Sequence, residues 1–206
     1  MNALFRALHR ISREKKYRLL EKLLPLSPEV CILNLGASGT EVGLADQLES
    51  FYPYPQRIVG GGLSELDVRD YRRSFPGVRA AVFDGCALPF PDRSFDIVYS
   101  NAVLEHLPDW DAQQRFAREV QRVGRSWFVT TPNFWYPIEL HYHLPLVQFL
   151  SPSRQQRLAR ALGKTPYPPL HLLDRRKLAR LFPGSRIVPC RVTFYPETLI
   201  AVGTAR

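Results

Sequence analysis

Apolar residues recur at helical spacing from the start of the chain. Leu4, Leu8 and Ile11, then Leu19, Leu20, Leu23 and Leu24, share a stripe, while Arg6, Arg10, Arg13, Lys15, Lys16, Arg18 and Lys22 fill the polar positions. This predicts a basic amphipathic helix over residues 1–25. Its apolar side suits the cover of a sheet, and its charge suits an anionic membrane surface. The period then changes. "VCILNLG" (30–36) is a continuous apolar run ended by glycine, the pattern of a strand buried on both faces. Runs of the same kind lie at 57–62, 78–85, 95–101 and 126–133. Helices are expected at 40–50, at 109–124 and at 174–182. The second of these has Asp109 or Asp111 as its cap, a stripe of Phe116, Val120 and Val123, and Gly124 at its stop; Asp174 caps the third. Near the end, "RIVPCRVTF" and "ETLIAVGTA" are joined by a link too short for a parallel crossover, so they form an antiparallel hairpin. The alternation elsewhere gives an α/β fold, a doubly wound, mostly parallel sheet with a C-terminal antiparallel hairpin.

Residues 132–170 break this rhythm. They hold seven prolines, several aromatic residues and a short helical pattern, "SPSRQQRLARALG". A connection this long in a compact domain is usually functional, and its aromatic content argues against disorder. We read 1–206 as a single domain with a substrate-side insertion at about 133–170. With 28 Lys+Arg against 19 Asp+Glu, the formal charge of +9 favours anionic partners without naming one. The three cysteines have no metal-ligand spacing and suggest no disulfide framework. That cysteine usage makes a reducing cytoplasm the expected location, peripheral to the inner membrane surface if the basic helix meets lipid, and no stretch approaches the ~20 apolar residues of a membrane span.

In an open α/β sheet, ligands bind beyond the carboxyl ends of the strands, where strand order reverses. "VFDGCALPFPDRSFDIVYSNAVLEHLPD" (82–109) spans two such ends and resembles the middle of a class I S-adenosylmethionine-dependent methyltransferase of the type 11-like branch. "ILNLGASGT" is similar to that family's first motif, and "TPNFWYPIELHYHLP" resembles a stretch of methyltransferases of envelope sugar and lipid pathways. The resemblance covers about residues 28–145 and implies a Rossmann-like, seven-stranded sheet with S-adenosylmethionine as cofactor. It implies that Gly36, Ala37 and Ser38 lie along the methionine and ribose, that Asp84 reads the adenine amino group with Gly85 and Cys86 beside it, that Ser100 and Asn101 lie under the methionine, and that His106 closes the far wall. Asn34 stands where the family has a carboxylate. Gly62 stands where it has the acid that holds the ribose hydroxyls, leaving Glu65 and Asp67 as the acids nearby.

Methyl transfer from a sulfonium needs an aligned nucleophile and, for a hydroxyl, a base. The insertion offers Glu139, His141 and His143, which would share one face of an extended segment. They are the candidate catalytic residues; lacking a third dedicated ligand, they are not expected to bind a metal. The acceptor implied is a small molecule or a cell-envelope sugar or lipid precursor. Three other classes compete. Asn34 and Gly62 motivate a catalytically silent member of the fold acting as a binding or regulatory partner. A nucleic-acid methyltransferase is disfavoured, because "TTPN" and "SNAV" do not match the aromatic-proline tetrad for amino groups on bases. "GASGTE" does not give the glycine pattern of a nicotinamide dehydrogenase.

Overall fold

The structure is a computed structural model and describes residues 3–37 and 48–205. Its elements are α1 (Ala3–Leu23), β1 (Ile32–Leu35), α2 (Leu48–Phe51), β2 (Ile58–Gly62), α3 (Glu65–Ser74), β3 (Arg79–Val82), β4 (Phe95–Asn101), α4 (Trp110–Val123), β5 (Gly124–Pro132), β6 (Ile138–Glu139), β7 (Leu144–Pro145), α5 (Pro152–Ala161), α6 (Arg175–Leu181), β8 (Arg186–Cys190) and β9 (Thr198–Thr204). The seven-stranded sheet runs β3-β2-β1-β4-β5-β9-β8, parallel through β5 and antiparallel for β9 and β8. This is the doubly wound sheet and closing hairpin that the pattern predicts. Most of the helix expected at 40–50 lies outside the described residues, as does Ser38.

The central strands are mostly apolar because both faces are covered. Ile32, Ile97, Phe128 and Ile200 pack with Leu20, Leu24, Tyr52, Val68 and Tyr71 on one face. Their neighbours Leu33, Val98, Val129 and Ala201 pack with Phe116, Val120, Leu178 and Phe182 on the other. Helix ends follow the sequence signals. Asp109 accepts from the Ala112 N–H at 2.7 Å, and Asp174 from that of Lys177 at 2.8 Å. Gly124 ends α4 in an extended conformation and begins β5, so it serves as a junction rather than a left-handed stop. Among the described residues no helix is long and apolar enough to cross a membrane.

One polar device ties the 88–92 turn to the end of α4, beside the first residues of β4 and β5. The Arg122 guanidinium donates to the Leu88 and Phe90 carbonyls at 3.0 and 2.8 Å, to Asp92 at 2.9 Å and to both Glu119 oxygens at 2.7 Å. Glu119 in turn accepts from the Leu88 N–H at 2.7 Å. Arg122→Ala is expected to lower stability by about 2 kcal/mol in urea denaturation, and Arg122→Lys to recover little, because an ammonium has no planar fork. The hydrogen bond from Arg122 holds the Glu119 carboxyl below its ordinary 4.5. Its contribution is therefore complete above pH 4.5 and lost as pH falls through the lower folded value, so Glu119→Gln should flatten the acid limb of the stability profile.

Candidate active site

Strand order reverses between β1 and β4, which pair with each other while their neighbours run outward to β2 and to β5. At the end of β1, Gly36 has φ 85°, a conformation that costs glycine little. A Cβ there would lie 2.3 Å from Val103 Cγ2, so the turn approaches the loop after β4 closely. Gly36 and Ala37 both donate their N–H to the Gly61 carbonyl at 3.0 Å, which seats the first loop on β2. At the end of β3, Asp84 is exposed; its Oδ1 accepts from the Cys86 N–H at 2.8 Å and so shapes the turn. Gly85 lies against the Phe116 ring, which a Cβ would meet at 2.7 Å. Burial first, and then the Asp84 charge, push the Cys86 thiol above its ordinary range. At the end of β4, Ser100 is fully buried, and its Oγ has no hydrogen-bond partner among the described residues. Asn101 Oδ1 accepts from Thr130 Oγ1 at 2.8 Å and from Lys16 Nζ at 3.0 Å.

Two positions differ from the sequence picture. Asn34 is buried, and its Nδ2 donates to Glu49 at 2.6 Å, with Tyr71 donating to the same carboxylate oxygen. Its side chain is thus tied into the helix layer beneath the strand. At Gly62, a Cβ would lie 2.8 Å from the Ala37 carbonyl oxygen. An acid has no room there. The same construction passes 3.4 Å from Asp67 Cβ, which places the Asp67 carboxylate, in the first turn of α3, beside the end of β2. Asp67 accepts from Ser64 Oγ at 2.5 Å, and Ser64 caps α3 by accepting from the Asp67 N–H at 3.1 Å.

The second group gathers around the insertion. The extended segment expected at 139–143 is instead the turn of a small antiparallel hairpin, β6 and β7. Glu139 is 3% exposed and makes that turn. Its Oε2 accepts from the His141 and Tyr142 N–H groups at 2.9 and 2.7 Å, and its Oε1 lies 2.7 Å from His141 Nδ1. Burial opposes the carboxylate's charge, but the His141 hydrogen bond and charge outweigh it and hold Glu139 below its ordinary range. His141 Nε2 lies 3.3 Å from His106 Nε2, with the rings edge to face at 5.0 Å. Next to His106, Glu105 is fully buried; Oε2 accepts from Thr131 at 3.1 Å and Oε1 has no hydrogen-bond partner among the described residues. Burial pushes its carboxyl up to about 7. His143 leaves the turn at φ 54°; burial first, then the Lys164 charge, lower its imidazole. The structure therefore brings Glu139, His141 and His106 together, with His143 following in the same turn, where the Glu139 and His141 charges also act on it.

The comparisons bear on this arrangement directly. Residues 38–126 match the family model described as "Methyltransferase domain". Probable S-adenosylmethionine-dependent methyltransferases of Mycobacterium tuberculosis and Mycolicibacterium smegmatis are 37% identical over 81 residues, 38% of this chain. The match spans 28% of the M. tuberculosis protein and 30% of the other. Magnesium protoporphyrin IX methyltransferase from Synechocystis PCC 6803, solved with bound S-adenosylhomocysteine, superposes with TM-score 0.63 over 100% of this chain and 89% of its own, at 14% identity. An S-adenosylmethionine-dependent methyltransferase from Mesorhizobium loti gives TM-score 0.61 over 91% and 96%, at 16% identity. This chain has the class I methyltransferase fold. In doubly wound sheets the ligand crevice opens beyond the carboxyl ends of the strands where their order reverses, here between β1 and β4. Sequence reasoning left three residues unassigned in this methyltransferase fold. Glu105 had a signal, a lone acid in the apolar run "AVLEHL". Lys16 had none, since helical periodicity puts it among solvated residues, yet α1 lays it against Asn101 with 8% exposure. Burial pushes its ammonium below the ordinary 10.5. Thr130 read only as part of a strand.

Proposed function

We propose that this chain transfers a methyl group from S-adenosylmethionine to a small-molecule or cell-envelope precursor acceptor. The observation that carries the reading is the β1–β4 reversal of strand order, where the Gly36 turn and the buried Ser100 hydroxyl, without a hydrogen-bond partner among the described residues, end neighbouring strands, and the exposed Asp84 follows β3 on the same carboxyl edge. These residues fit the cofactor. Gly36 lets backbone approach it, Asp84 retains carboxylate capacity toward an amino group, and Ser100 Oγ offers a donor. At the ribose, position 62 does not fit the family's acid, and Asp67 takes that part from α3. When bound, S-adenosylmethionine supplies a methyl group on a sulfonium, with a neutral thioether as leaving group. The chain's own share is placement and proton removal. Asn101, held by Lys16 and Thr130, lines the end of β4, and the acceptor's proton is lost at the His106–His141 face, where Glu139 fixes the His141 ring.

Calorimetric titration with S-adenosylhomocysteine tests this reading. Saturable binding is expected, with Asp84→Ala and Asp67→Asn each weakening it about 10-fold, the loss of one charge-assisted hydrogen bond. The close seat of Ala37 on Gly62 favours a second reading, a silent fold member serving a partner. Absence of binding by a folded protein would select it.

A further inference from the structure

Glu105, His106 and His141 each offer a ligand atom, and these atoms lie within 4.8 Å of one another. We propose that the three side chains form a binding site for a divalent transition cation of the zinc class, with one coordination position left for a donor from outside the chain.

Four observations support it. First, the two Nε2 atoms are 3.3 Å apart. Two imidazole nitrogens on a tetrahedral Zn²⁺ at about 2.0–2.1 Å each are separated by about 3.4 Å. As a hydrogen bond, 3.3 Å is beyond the usual range of about 2.7–3.2 Å for a ring N–H donor. Second, Glu105 is fully buried with Oε1 lacking a hydrogen-bond partner among the described residues. A buried carboxylate with an unused oxygen is costly, and a cation repays that cost directly. Third, Glu139 lies 2.7 Å from His141 Nδ1. That contact fixes the proton on Nδ1 and turns the Nε2 lone pair toward His106, the outer-shell arrangement that orients a metal-bound histidine. Fourth, the two carboxylates balance a dication, so the charge need not be neutralised elsewhere. Two histidines and one glutamate with an open fourth position are a ligand set of catalytic zinc sites, and the exposure of His106 gives solvent and acceptor a way in.

The site's role in the reaction rests on the methyltransferase reading; its existence does not. In that role the open position takes an oxygen or nitrogen donor of the acceptor. With the ion bound, both Nε2 atoms are ligands and no longer serve as base; coordination instead lowers the donor's pKa, so its proton leaves to water at the same face and the lone pair is exposed for attack. This narrows the acceptor to molecules with a coordinating hydroxyl or similar group.

The test is Co²⁺ titration of the full chain after chelator treatment, with S-adenosylhomocysteine calorimetry on the same samples. The expected result is one equivalent of Co²⁺ per chain with the visible bands of a four- or five-coordinate ion. His106→Ala and Glu105→Gln should each abolish saturable uptake. Because His106 is exposed, its variant keeps the test valid if Glu105→Gln does not fold. Saturable uptake that survives His106→Ala overturns the proposal, as does no uptake by the folded wild type. Failure to take up Co²⁺ with S-adenosylhomocysteine binding intact removes the metal site and leaves the methyltransferase reading standing. The opposite pattern removes the cofactor reading alone.

Discussion

Glu139→Ala is expected to cost about 3–5 kcal/mol. The carboxylate is 3% exposed and is the acceptor for three donors, the N–H groups of His141 and Tyr142 and the His141 ring. Each buried donor left without a partner costs about 1–3 kcal/mol, and Tyr142, whose amide is one of them, is itself buried. Glu139→Gln keeps one oxygen for the two backbone donors and should lose about half as much. Urea denaturation at constant m measures the global loss, and hydrogen exchange at the Tyr142 amide detects opening confined to the hairpin. A stability and an exchange rate both within error of wild type would show that the carboxylate does not hold this turn. S-adenosylhomocysteine affinity is expected to change less than stability, because Glu139 reaches the end of β4 only through His141 and His106. Co²⁺ affinity is expected to fall about 10–100-fold, the usual effect of losing an outer-shell partner.

Gly36→Ala is expected to cost about 2–4 kcal/mol and to weaken S-adenosylhomocysteine binding at least about 10-fold. Two separate terms add. A side chain at φ 85° is strained by about 1 kcal/mol, and a Cβ placed 2.3 Å from Val103 Cγ2 forces the β1 and β4 loops apart, an overpacking cost of about 1–3 kcal/mol. The terms can be separated. In a double-mutant cycle, Val103→Ala should relieve the overlap and leave the backbone strain, giving a favourable coupling of about 1–2 kcal/mol. A coupling of zero would mean that the two loops do not meet as described.

The strands were readable because their burial is two-sided. Ile32 and Leu33, or Phe128 and Val129, face different helix layers, so neither position tolerates a polar residue and the run is continuous. The closing hairpin was readable from the length of its link alone. The hairpin at 138–145 was not, since "ELHYHLP" carries no glycine or asparagine turn signal. A glutamate side chain supplies the acceptors that such residues would otherwise provide, so the chain turns at 140–143 where a period-two reading expects it extended. His106 and His141 are 35 positions apart, and only the packing of the insertion over β5 joins them. Lys16 shows the same limit from the other side: periodicity tells which residues share a helix face, not whether a neighbouring element covers the polar one.

Gly62 read in the sequence as a deletion, a missing carboxylate. The structure makes it an occupied place, because the Ala37 carbonyl fills the volume that the side chain would need. An acid at 62 therefore requires the Gly36–Ala37 turn to shift, which puts its two hydrogen bonds to Gly61 at stake. With position 62 closed to a side chain, a carboxylate for a nucleoside on this edge has to come from the neighbouring helix α3.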